Sequence, residues 1–369
     1  ITVATADGTQ QVISVNIEGR NDAAVIQGVK TASLVESDAL LTAKGALTAT
    51  DVDSAATFVA QSSVAGSNKY GKFSIGTDGK WSYLADSAHN EFAAGKTYTD
   101  SITVATADGT QQLISVSIAG TNDAAVITGD STASLLESNE ALKTNGALKA
   151  TDVDSPATFV AQSSVAGSNK YGRFSIGTDG KWSYVANSAH NEFAAGNTYT
   201  DSITVATADG TQQLISVSIA GTNDAAVITG DKLISINEDA LLEGDLGGVL
   251  TATDVDSAGT FVAQTGVDGS NQYGKFSIDS NGEWTYTANS AHDEFAAGTS
   301  YKDSFTVRTV DGTSQVISVA IEGSNDAPVF AGDTPVLQTV QQGAEFEYEM
   351  PAGAFTDVDA DTVLTYQAT

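Results

Sequence analysis

Several residue types are absent or scarce in this sequence of 369 residues. It contains no cysteine, which excludes disulfides, thiolate metal sites and cysteine nucleophiles. Only 16 basic residues stand against 46 acidic ones, so the net charge of −30 argues against nucleic acid or an anionic membrane as a partner. No apolar run reaches the roughly 18 residues that a membrane-spanning helix needs. The sequence therefore predicts neither nucleic-acid binding nor membrane insertion.

The abundant residue types indicate β-structure. The chain has 35 glycines but only 4 prolines and 1 methionine, together with many Thr, Ser, Val and Ala residues. This balance favours strands joined by turns over helices or a disordered tail. Ile1 opens within a strand-like pattern that has neither a basic start nor a cleavage site, so we expect the sequence to be a fragment of a longer chain.

One unit is repeated along the chain. An Asn-Asp pair returns at residues 21, 122, 223 and 325, with spacings of 101, 101 and 102 residues. Residues 51–129 and 152–230 differ at only five positions. We predict an upstream remnant, three full repeats and the opening of another module, with the boundaries 1–20, 21–121, 122–222, 223–324 and 325–369. Because this period is the size of a domain, each repeat is expected to fold on its own.

Apolar and polar residues alternate inside each repeat, which is the period of a β-strand. Hairpins are predicted around the Asp-Gly turns at 78–79 and 108–109, and the runs at 24–35, 46–50 and 58–64 bring the total to about seven strands. About seven short strands in about 100 residues are typical of an immunoglobulin-like or cadherin-like sandwich. The predicted fold is therefore all-β, with tandem β-sandwich domains in an elongated array.

Acidic residues recur at both ends of the predicted sandwich. In the second repeat, the traced strand path places Asp152, Asp154 and Asp209 at the end that faces the preceding repeat, and Glu137 and Asp201 at the other end. Each boundary between repeats is therefore expected to gather carboxylates from both sides. Two unit charges about 4 Å apart repel by roughly 4 kcal/mol at an effective dielectric near 20, so such a cluster needs cations.

Calcium is the cation that fits these clusters best. An all-oxygen donor set suits Ca²⁺, which takes roughly 6 to 8 oxygen ligands in loose geometry, whereas Mg²⁺ prefers a stricter octahedron with more water. We predict several Ca²⁺ ions at the boundaries between repeats. The predicted ligands are Asn21, Asp22, Asp51, Asp53 and Asp108 at the start of the first repeat; Glu36, Asp100, Asn122, Asp123, Asp152, Asp154 and Asp209 at the first boundary; Glu137, Asp201, Asn223, Asp224, Asp254, Asp256 and Asp311 at the second; and Glu238, Asp303, Asn325, Asp326, Asp357 and Asp359 at the third.

Some of these residues also have a simpler interpretation, because Asp, Asn and Gly are ordinary turn formers. The Asp-Gly pairs at 78–79 and 179–180 lie in a mid-repeat hairpin without acidic company, and we assign them to the turn only. A hairpin Asp-Gly such as the one that begins at Asp108 needs no metal to explain it. The placement of Glu36 and Asp100 depends on the traced strand path.

The motifs taken together resemble a known family. Thr-Asp-Val-Asp at 50–53, Gly-Lys-Trp-Ser-Tyr at 79–83, Tyr-Thr-Asp-Ser-Ile at 98–102 and the stretch from Ala-Asp-Gly-Thr to Asn-Asp-Ala at 107–124 are similar to the VCBS repeats of giant bacterial surface proteins. The resemblance covers residues 1–327. It implies tandem extender domains joined by calcium, in long adhesins of the RTX class that are exported by type I secretion. The tail, with Phe355-Thr356-Asp357-Val358-Asp359-Ala360-Asp361, resembles the start of a bacterial cadherin-like domain.

Catalysis is not expected. Histidine occurs once in each repeat, at His89, His190 and His292, and single copies in three domains cannot form one triad or one zinc site. The sequence has no nucleophile elbow, phosphate loop or HExxH pattern. We therefore predict that the chain is not an enzyme and that the histidines have structural or surface roles.

Two functions remain open. In the first, the repeats form a calcium-rigidified extender of a bacterial cell-surface adhesin, with neighbouring repeats as partners and a distal domain of unknown ligand for cell adhesion or biofilm formation. In the second, the repeats are themselves carbohydrate- or protein-binding modules. Near-identical repeats favour the extender, although multivalent binding also reuses one unit. Trp81, Trp182 and Trp284 alternate with tyrosine in a strand, so core packing is expected rather than sugar stacking. Both functions place the chain outside the cell.

Overall fold

The computed structural model describes residues 1–244, 246–332, 339–359 and 362–367. This part of the chain is almost entirely β-structure, with one short 3-10 helix at Glu238–Ala240. Each of the three repeats contains eight strands, where the sequence predicted about seven. The predicted all-β class is confirmed, and the additional strand arises because the run at 24–35 is divided in two.

The strands are numbered in chain order. A short hairpin comes first, with β1 at Thr2–Ala4 and β2 at Gln10–Val12. The first repeat contains β3 Val25–Gly28, β4 Thr31–Val35, β5 Thr42–Thr50, β6 Gln61–Ala65, β7 Gly71–Ile75, β8 Lys80–Ala85, β9 Thr97–Ala105 and β10 Gln111–Ala119. The second contains β11 Val126–Gly129, β12 Thr132–Leu136, β13 Lys143–Thr151, β14 Gln162–Ala166, β15 Gly172–Ile176, β16 Lys181–Ala186, β17 Thr198–Ala206 and β18 Gln212–Ala220. The third contains β19 Val227–Gly230, β20 Leu233–Asn237, β21 Leu246–Thr253, β22 Gln264–Asp268, β23 Gly274–Ile278, β24 Glu283–Ala288, β25 Ser300–Arg308 and β26 Ser314–Glu322, and β27 Val329–Phe330 and β28 Phe355–Thr356 follow.

Each repeat is a sandwich of a five-stranded and a three-stranded sheet. In the first repeat the strand orders are β3-β5-β8-β7-β6 and β4-β10-β9, and the equivalent strands of the other two repeats have the same orders. β4 runs parallel to β10, and β9 runs antiparallel to it. The pairs β9–β10 and β7–β8 are the two hairpins that the sequence predicted.

Gly28 is the point at which the chain crosses from one sheet to the other. β3 pairs with β5 in the five-stranded sheet, whereas β4 pairs with β10 in the three-stranded sheet. The backbone of Gly28 has φ +110°, and a Cβ there would lie 2.4 Å from the carbonyl oxygen of Ala46. Glycine alone accepts both the dihedral angle and the close approach. This crossing explains why one apolar run forms two strands.

The core lies between the two sheets and is rich in aromatic side chains. In the first repeat Phe73, Trp81 and Tyr83 from the larger sheet pack with Ile114 and Val116 from the smaller one, and all are buried. The Nε1 of Trp81 donates a hydrogen bond to the Val29 carbonyl oxygen at 2.7 Å. Trp182 and Trp284 are buried as well. The prediction that the tryptophans pack in the core is confirmed.

Strand register determines which loops share an end of the sandwich. Val25 lies opposite Thr50, so the linker before β3 and the loop after β5 emerge together. At the other end, Val35 lies beside Ala119 in the parallel pair of β4 and β10. The residue after β4 is therefore adjacent to the segment that leads into the next repeat.

The chain divides into two compact units, and the border between them passes through the second repeat. In the last segment, β27 pairs with β28 in an antiparallel arrangement. Ala360 and Asp361 of the tail motif lie outside the described residues. The described residues include no helix long and apolar enough to cross a lipid bilayer.

Candidate metal centres at the repeat boundaries

Acidic and amide side chains converge where one repeat leads into the next. The first boundary site consists of Glu36, Asp38, Asn90, Asp123, Asp152 and Asp154. The second boundary site consists of Glu137, Asn139, Asn191, Asp224, Asp254 and Asp256. The third boundary site consists of Glu238, Asp239, Asp293, Asp326, Asp357 and Asp359. The matching residues at the start of the first repeat, which we name the upstream cluster, are Asn21, Asp22, Asp51, Asp53 and Asp108.

Glu36 reaches the first boundary because it directly follows β4. Its backbone amide donates to the carbonyl oxygen of Ala119, the last residue of β10, at 2.8 Å. The Thr121 hydroxyl donates to Glu36 Oε2. These two bonds hold the glutamate against the linker that begins the second repeat. Glu137 and Thr222 repeat the side-chain contact one repeat later.

The two aspartates after β13 have different roles. Asp152 Oδ1 accepts hydrogen bonds from the amides of Asp154 and Ser155 at 3.0 and 2.8 Å, and its Oδ2 accepts from the Ser155 hydroxyl at 2.8 Å. Although burial raises the pKa of Asp152, these bonds outweigh it and lower that pKa. The first aspartate therefore forms the turn, and the second is the one with free oxygens. Asp254 makes the same turn in the third repeat.

The hairpin aspartates hold the linker in place. Asp108 Oδ2 accepts from the amide of Ala24 at 3.0 Å and from the Thr110 hydroxyl at 2.6 Å, and the Thr106 hydroxyl donates to its Oδ1. Asp209 and Asp311 accept from the amides of Ala125 and Ala226 in the same way. These residues lie at the linkers, as predicted, but would have to give up existing hydrogen bonds to act as metal ligands.

The linker asparagines are tied to the residue that follows them. Asn122 Nδ2 donates to the Asp123 carbonyl oxygen at 3.0 Å, and the other three asparagines make the same bond. The bond uses the nitrogen of the side-chain amide and leaves its oxygen as a possible ligand. The geometry of each Asn-Asp pair is thus set within the pair.

The clearest feature of the boundary sites is a set of buried oxygens without hydrogen-bond partners. Within the described residues, such oxygens belong to Glu36, Asn90, Asp123 and both carboxylate oxygens of Asp154 at the first site. The equivalent residues at the other sites are, in chain order, Glu137, Asn191, Asp224, Glu238, Asp256, Asp326 and Asp359. None of the ion pairs found among the described residues involves these carboxylates. A buried carboxylate without a donor or a cation is costly, so the arrangement calls for a positive charge.

The local electrostatics agree with this. Burial raises the pKa of Asp123, and the charges of Glu36 and Asp38 raise it further. Burial likewise raises the pKa of Asp154 and of Asp224. The first boundary site therefore concentrates negative charge that the protein itself does not neutralise.

The third boundary site gathers three carboxylates most closely. One oxygen each of Glu238, Asp326 and Asp359 lies within 4.8 Å of the others. The amide of Asp326 donates to Asp359 Oδ2 at 2.9 Å, and the amide of Ser324 donates to Glu238 Oε1 at 2.9 Å. Glu238 and Asp359 are 2% and 7% exposed, respectively. Asp357 precedes this group and accepts from the Asp359 amide at 3.0 Å.

Asp100, Asp201 and Asp303 do not lie at the boundaries, and the predicted strand path is wrong on this point. The path began a strand at Asp201, but β17 begins three residues earlier, at Thr198. Each aspartate is therefore in the body of its strand and is fully buried. Asp100 Oδ1 accepts from the amide of Asn68 at 2.9 Å, and Oδ2 accepts from those of Tyr70 and Gly71 at 3.1 Å.

This buried aspartate anchors a loop inside its own repeat. A Cβ on Gly66 would lie 2.1 Å from Asp100 Oδ2, so the loop passes directly over the carboxylate. Asp303 accepts from Asn271, Tyr273 and Gly274 in the third repeat. Backbone amides thus satisfy these carboxylates, which explains why they need no cation.

Two sets of residues at the boundaries were not predicted from the sequence. Asn90 Nδ2 donates to Asp38 Oδ1 at 3.1 Å, and Asn191 donates to Asn139 at 3.0 Å. In the third repeat burial raises the pKa of Asp326, and the charges of Asp293 and Asp239 raise it further. The available signal was residue 293, which is Asp where the two earlier repeats have Asn.

A histidine positions the loop after β8, which carries Asn90. His89 has φ +64° and is buried, its Nε2 donates to the Tyr70 carbonyl oxygen at 2.6 Å, and its ring stacks on Phe92 with centroids 4.5 Å apart. Its Nδ1 lies 2.8 Å from Glu91 Oε1. The residue that follows it, Asn90, is thereby presented at the boundary.

The residues present fit Ca²⁺. Every free ligand atom at the boundary sites is a carboxylate or amide oxygen, which is the donor set that hard divalent cations prefer. Glu36, Asp123 and Asp154 would hold the ion at the first site, and their equivalents would do so at the other two. A bound Ca²⁺ supplies the positive charge that these buried oxygens lack.

All three repeats match one protein family. Residues 21–120, 122–221 and 223–323 each match the bacterial cadherin-like domain. No curated protein matches the chain. Similar solved structures include a protocadherin gammaB7 EC3-6 cis-dimer, at 16% identity over 88% of this chain and 81% of that chain with a TM-score of 0.43. They also include mouse cadherin-23 EC22-24, at 15% identity over 82% of this chain and 99% of that chain with a TM-score of 0.40. The family matches cover most of the sequence, and the chain therefore belongs to the bacterial cadherin-like domain family, with three copies in tandem.

Proposed function

We propose that the chain is a calcium-rigidified extender of a bacterial cell-surface adhesin. It would hold a distal binding domain away from the cell for adhesion or biofilm formation, as in the RTX-class adhesins with VCBS repeats that the sequence resembles. The observation that carries the proposal is the set of buried, unpartnered carboxylate oxygens at all three boundary sites. Membership of the cadherin-like family supports an extracellular array of adhesion-type domains.

The mechanism rests on residues from both sides of a boundary. Glu36 comes from the first repeat, whereas Asp123 and Asp154 come from the linker and the second repeat. Their mutual repulsion opposes close approach of the two repeats until a cation is shared between them. An arrangement that binds the ion more tightly becomes more populated when the ion is present. At free Ca²⁺ about 100 times the dissociation constant, each site would add about 2.7 kcal/mol in favour of that arrangement.

This linkage suits a secreted protein. Extracellular modules bind Ca²⁺ with dissociation constants of about 10⁻⁴ to 10⁻³ M, far above cytosolic levels. The chain would therefore stay flexible inside the cell, which suits type I secretion, and stiffen outside it. Neighbouring repeats, with boundaries proposed at 121/122, 222/223 and 324/325, would be one another's partners, and residues 325–369 would open a further cadherin-like domain.

Small-angle X-ray scattering with calcium and with chelator tests the proposal. We expect a larger maximum dimension in calcium for the unmodified chain, and a loss of part of that gain when Asp152→Asn is combined with Asp154→Asn. Asp51→Asn with Asp53→Asn is the matched control, because it changes the same motif in the upstream cluster. Identical profiles for the unmodified chain in the two conditions would overturn the proposal.

The alternative of carbohydrate-binding modules can be tested on the same chain. The tryptophan rings are buried in the core and so are not platforms for sugar stacking. We expect no binding of the chain to a glycan array in calcium. Tight binding of one glycan class would favour the alternative.

A further inference from the structure

The three boundary sites are built from equivalent segments but differ in charge, and only the third has a 3-10 helix, at Glu238–Ala240, among the described residues. The first site has five carboxylates among its six residues, the second has four and the third has six. The differences fall on the outer positions that the loops after β4 and β8, and their equivalents, supply. The second site has Asn139 and Asn191 there, and the first has Asp38 and Asn90. In the third site the residue that matches Asp38 is Ala240, and the carboxylates come from Asp239, one residue earlier, and from Asp293.

These outer residues act on the central linker aspartate. Asp38 lies at hydrogen-bond distance from Asn90 and adds its charge to that of Glu36 around Asp123. In the second site the amide of Asn139 takes the place of Asp38, in a bond of nearly the same length to Asn191. Asn139 thus keeps the hydrogen bond but lacks the negative charge of Asp38. The neighbouring Glu140, where the first repeat has Ala39, is exposed and is not among the charges that raise the pKa of Asp224. In the third site Asp239 and Asp293 both place a carboxylate near Asp326.

A second, independent feature shows that each cluster is built for a ligand. Glu36, Glu137 and Glu238 are each at least 97% buried, and each has a carboxylate oxygen without a hydrogen-bond partner among the described residues. All three sites therefore contain the same unsatisfied buried acid. The sites differ in the charge that surrounds it.

We propose that the three boundaries load with Ca²⁺ in a fixed order, third, first and then second, so that the middle linker is the last to be ordered and the first to be released. The proposal rests on the calcium role proposed above and concerns its regulation. Ligand charge is one of the features that tune Ca²⁺ affinity in oxygen sites. Replacing a carboxylate by an amide keeps an oxygen donor but removes a unit of charge. We expect the loss to weaken the second site by about three- to tenfold relative to the first.

Hydrogen–deuterium exchange with mass spectrometry, measured on the whole chain during a Ca²⁺ titration, resolves the linkers separately. Residues 119–130 and 220–231 have identical sequences, so the peptides must extend to Ser131 or Lys232 to be assigned. We expect protection of the second linker to have its midpoint at about three- to tenfold higher free Ca²⁺ than the first. The third linker is expected to be protected at the lowest concentration.

Three variants make the test specific. Asn139→Asp is expected to move the midpoint of the second linker to that of the first, and Asp38→Asn to move the first to that of the second. Asp86→Asn is the matched control, because it removes one charge from the same repeat but Asp86 pairs with Lys72 instead, at 3.9 Å. It is expected to move neither midpoint.

The outcomes separate the two proposals. Calcium-dependent protection with equal midpoints at the first and second linkers, or a second linker that loads first, would overturn the fixed order and leave the extender function standing. An Asn139→Asp variant with an unchanged midpoint would also overturn the order. Absence of calcium-dependent protection at every linker would overturn the proposed function itself.

Discussion

The upstream cluster and the first boundary site are built from the same sequence but differ in environment. Asp22 donates its amide to Asp53 Oδ2 at 3.1 Å, and both side chains are exposed. Their equivalents, Asp123 and Asp154, are partly buried and carry oxygens without partners. The difference is the preceding repeat, which contributes Glu36 to the first boundary site and thereby covers it.

The same aspartate motif is therefore present in both places, and its free oxygens are buried where Glu36 packs beside them. The motif sets the turn and orients the second aspartate in both places. Burial of the free oxygens requires the end of another sandwich, with its own acid, against the linker. Three predictions test this distinction.

The largest effect is expected from a buried acid that is satisfied by amides. Asp100→Asn removes a charge that holds the amides of Asn68, Tyr70 and Gly71, and leaves a side-chain amide group among backbone donors. We expect a loss of about 3 kcal/mol in the free energy of unfolding of the first repeat, measured by denaturant titration. Calcium binding at the first boundary is expected to be unchanged. If the variant instead lost one calcium site and kept its stability, Asp100 would have to be a calcium ligand.

A smaller effect is expected from the glutamate that distinguishes the two regions. Glu36→Gln keeps the shape and the acceptor for the Thr121 hydroxyl but removes the charge. We expect Ca²⁺ to bind the first boundary site about tenfold more weakly, that is, with a larger dissociation constant. Calorimetric calcium titration of the whole chain measures this. Asp53→Asn in the upstream cluster is the control and should leave the three boundary sites unchanged. If Glu36→Gln and Asp53→Asn had equal effects on calcium binding, the contribution of Glu36 would not be what distinguishes the first boundary site from the upstream cluster.

The smallest effect is expected from pH. A carboxyl group whose pKa is raised in the folded state binds protons more readily there, so calcium-free chain gains stability at the boundary as pH falls from 7 toward the ordinary aspartate pKa of 3.8. Asp123 and Asp154 contribute in this direction. In the upstream cluster, hydrogen bonds from the amides of Asp53 and Ser54 and from the Ser54 hydroxyl lower the pKa of Asp51. The ionised Asp51 therefore adds to the stability of the folded chain, and this stabilisation is lost as pH falls through the lowered pKa.

Calcium-binding experiments at about pH 7 and about pH 5 check this sign. Calcium affinity at the boundary sites should decrease at the lower pH, because protons compete for the same oxygens. Scattering of the calcium-free chain should show less separation of the repeats at about pH 5 than at about pH 7. Affinity that is independent of pH would show that these carboxylates are not the ligands.

Much of the fold could be predicted from the sequence. The two hairpins and the buried tryptophans were predicted from alternation and from Asp-Gly turns, and the structure confirms them. The division of the run at 24–35 could not be predicted in this way, because apolar alternation continues through Gly28. The change of sheet depends on the close approach of Gly28 to Ala46, which is a tertiary contact.

The candidate site was predicted less completely. The linker Asn-Asp pairs, the paired aspartates and the glutamates lie at the boundaries, whereas Asp100 and its equivalents lie inside the repeats. Asp100 alternates in step with the buried Ile102 and Val104 of β9, which indicates an inward face, but this pattern does not show whether an inward-facing aspartate is satisfied. What separates them is whether backbone amides from a distant loop, here residues 66–71, reach the carboxylate.

The sequence by itself determined the repeat, the alternation that makes a sandwich, and the acidic residues beside each linker, because these depend on local spacing along the chain. Only the tertiary structure decided which acids are satisfied, since hydrogen-bond donors come from segments far away in the sequence. The free oxygens of the boundary carboxylates face other carboxylates across the boundary, and no hydrogen-bond donor among the described residues reaches them. This is the physical reason why oxygens of the boundary carboxylates, and not those of Asp100, are left without hydrogen-bond partners.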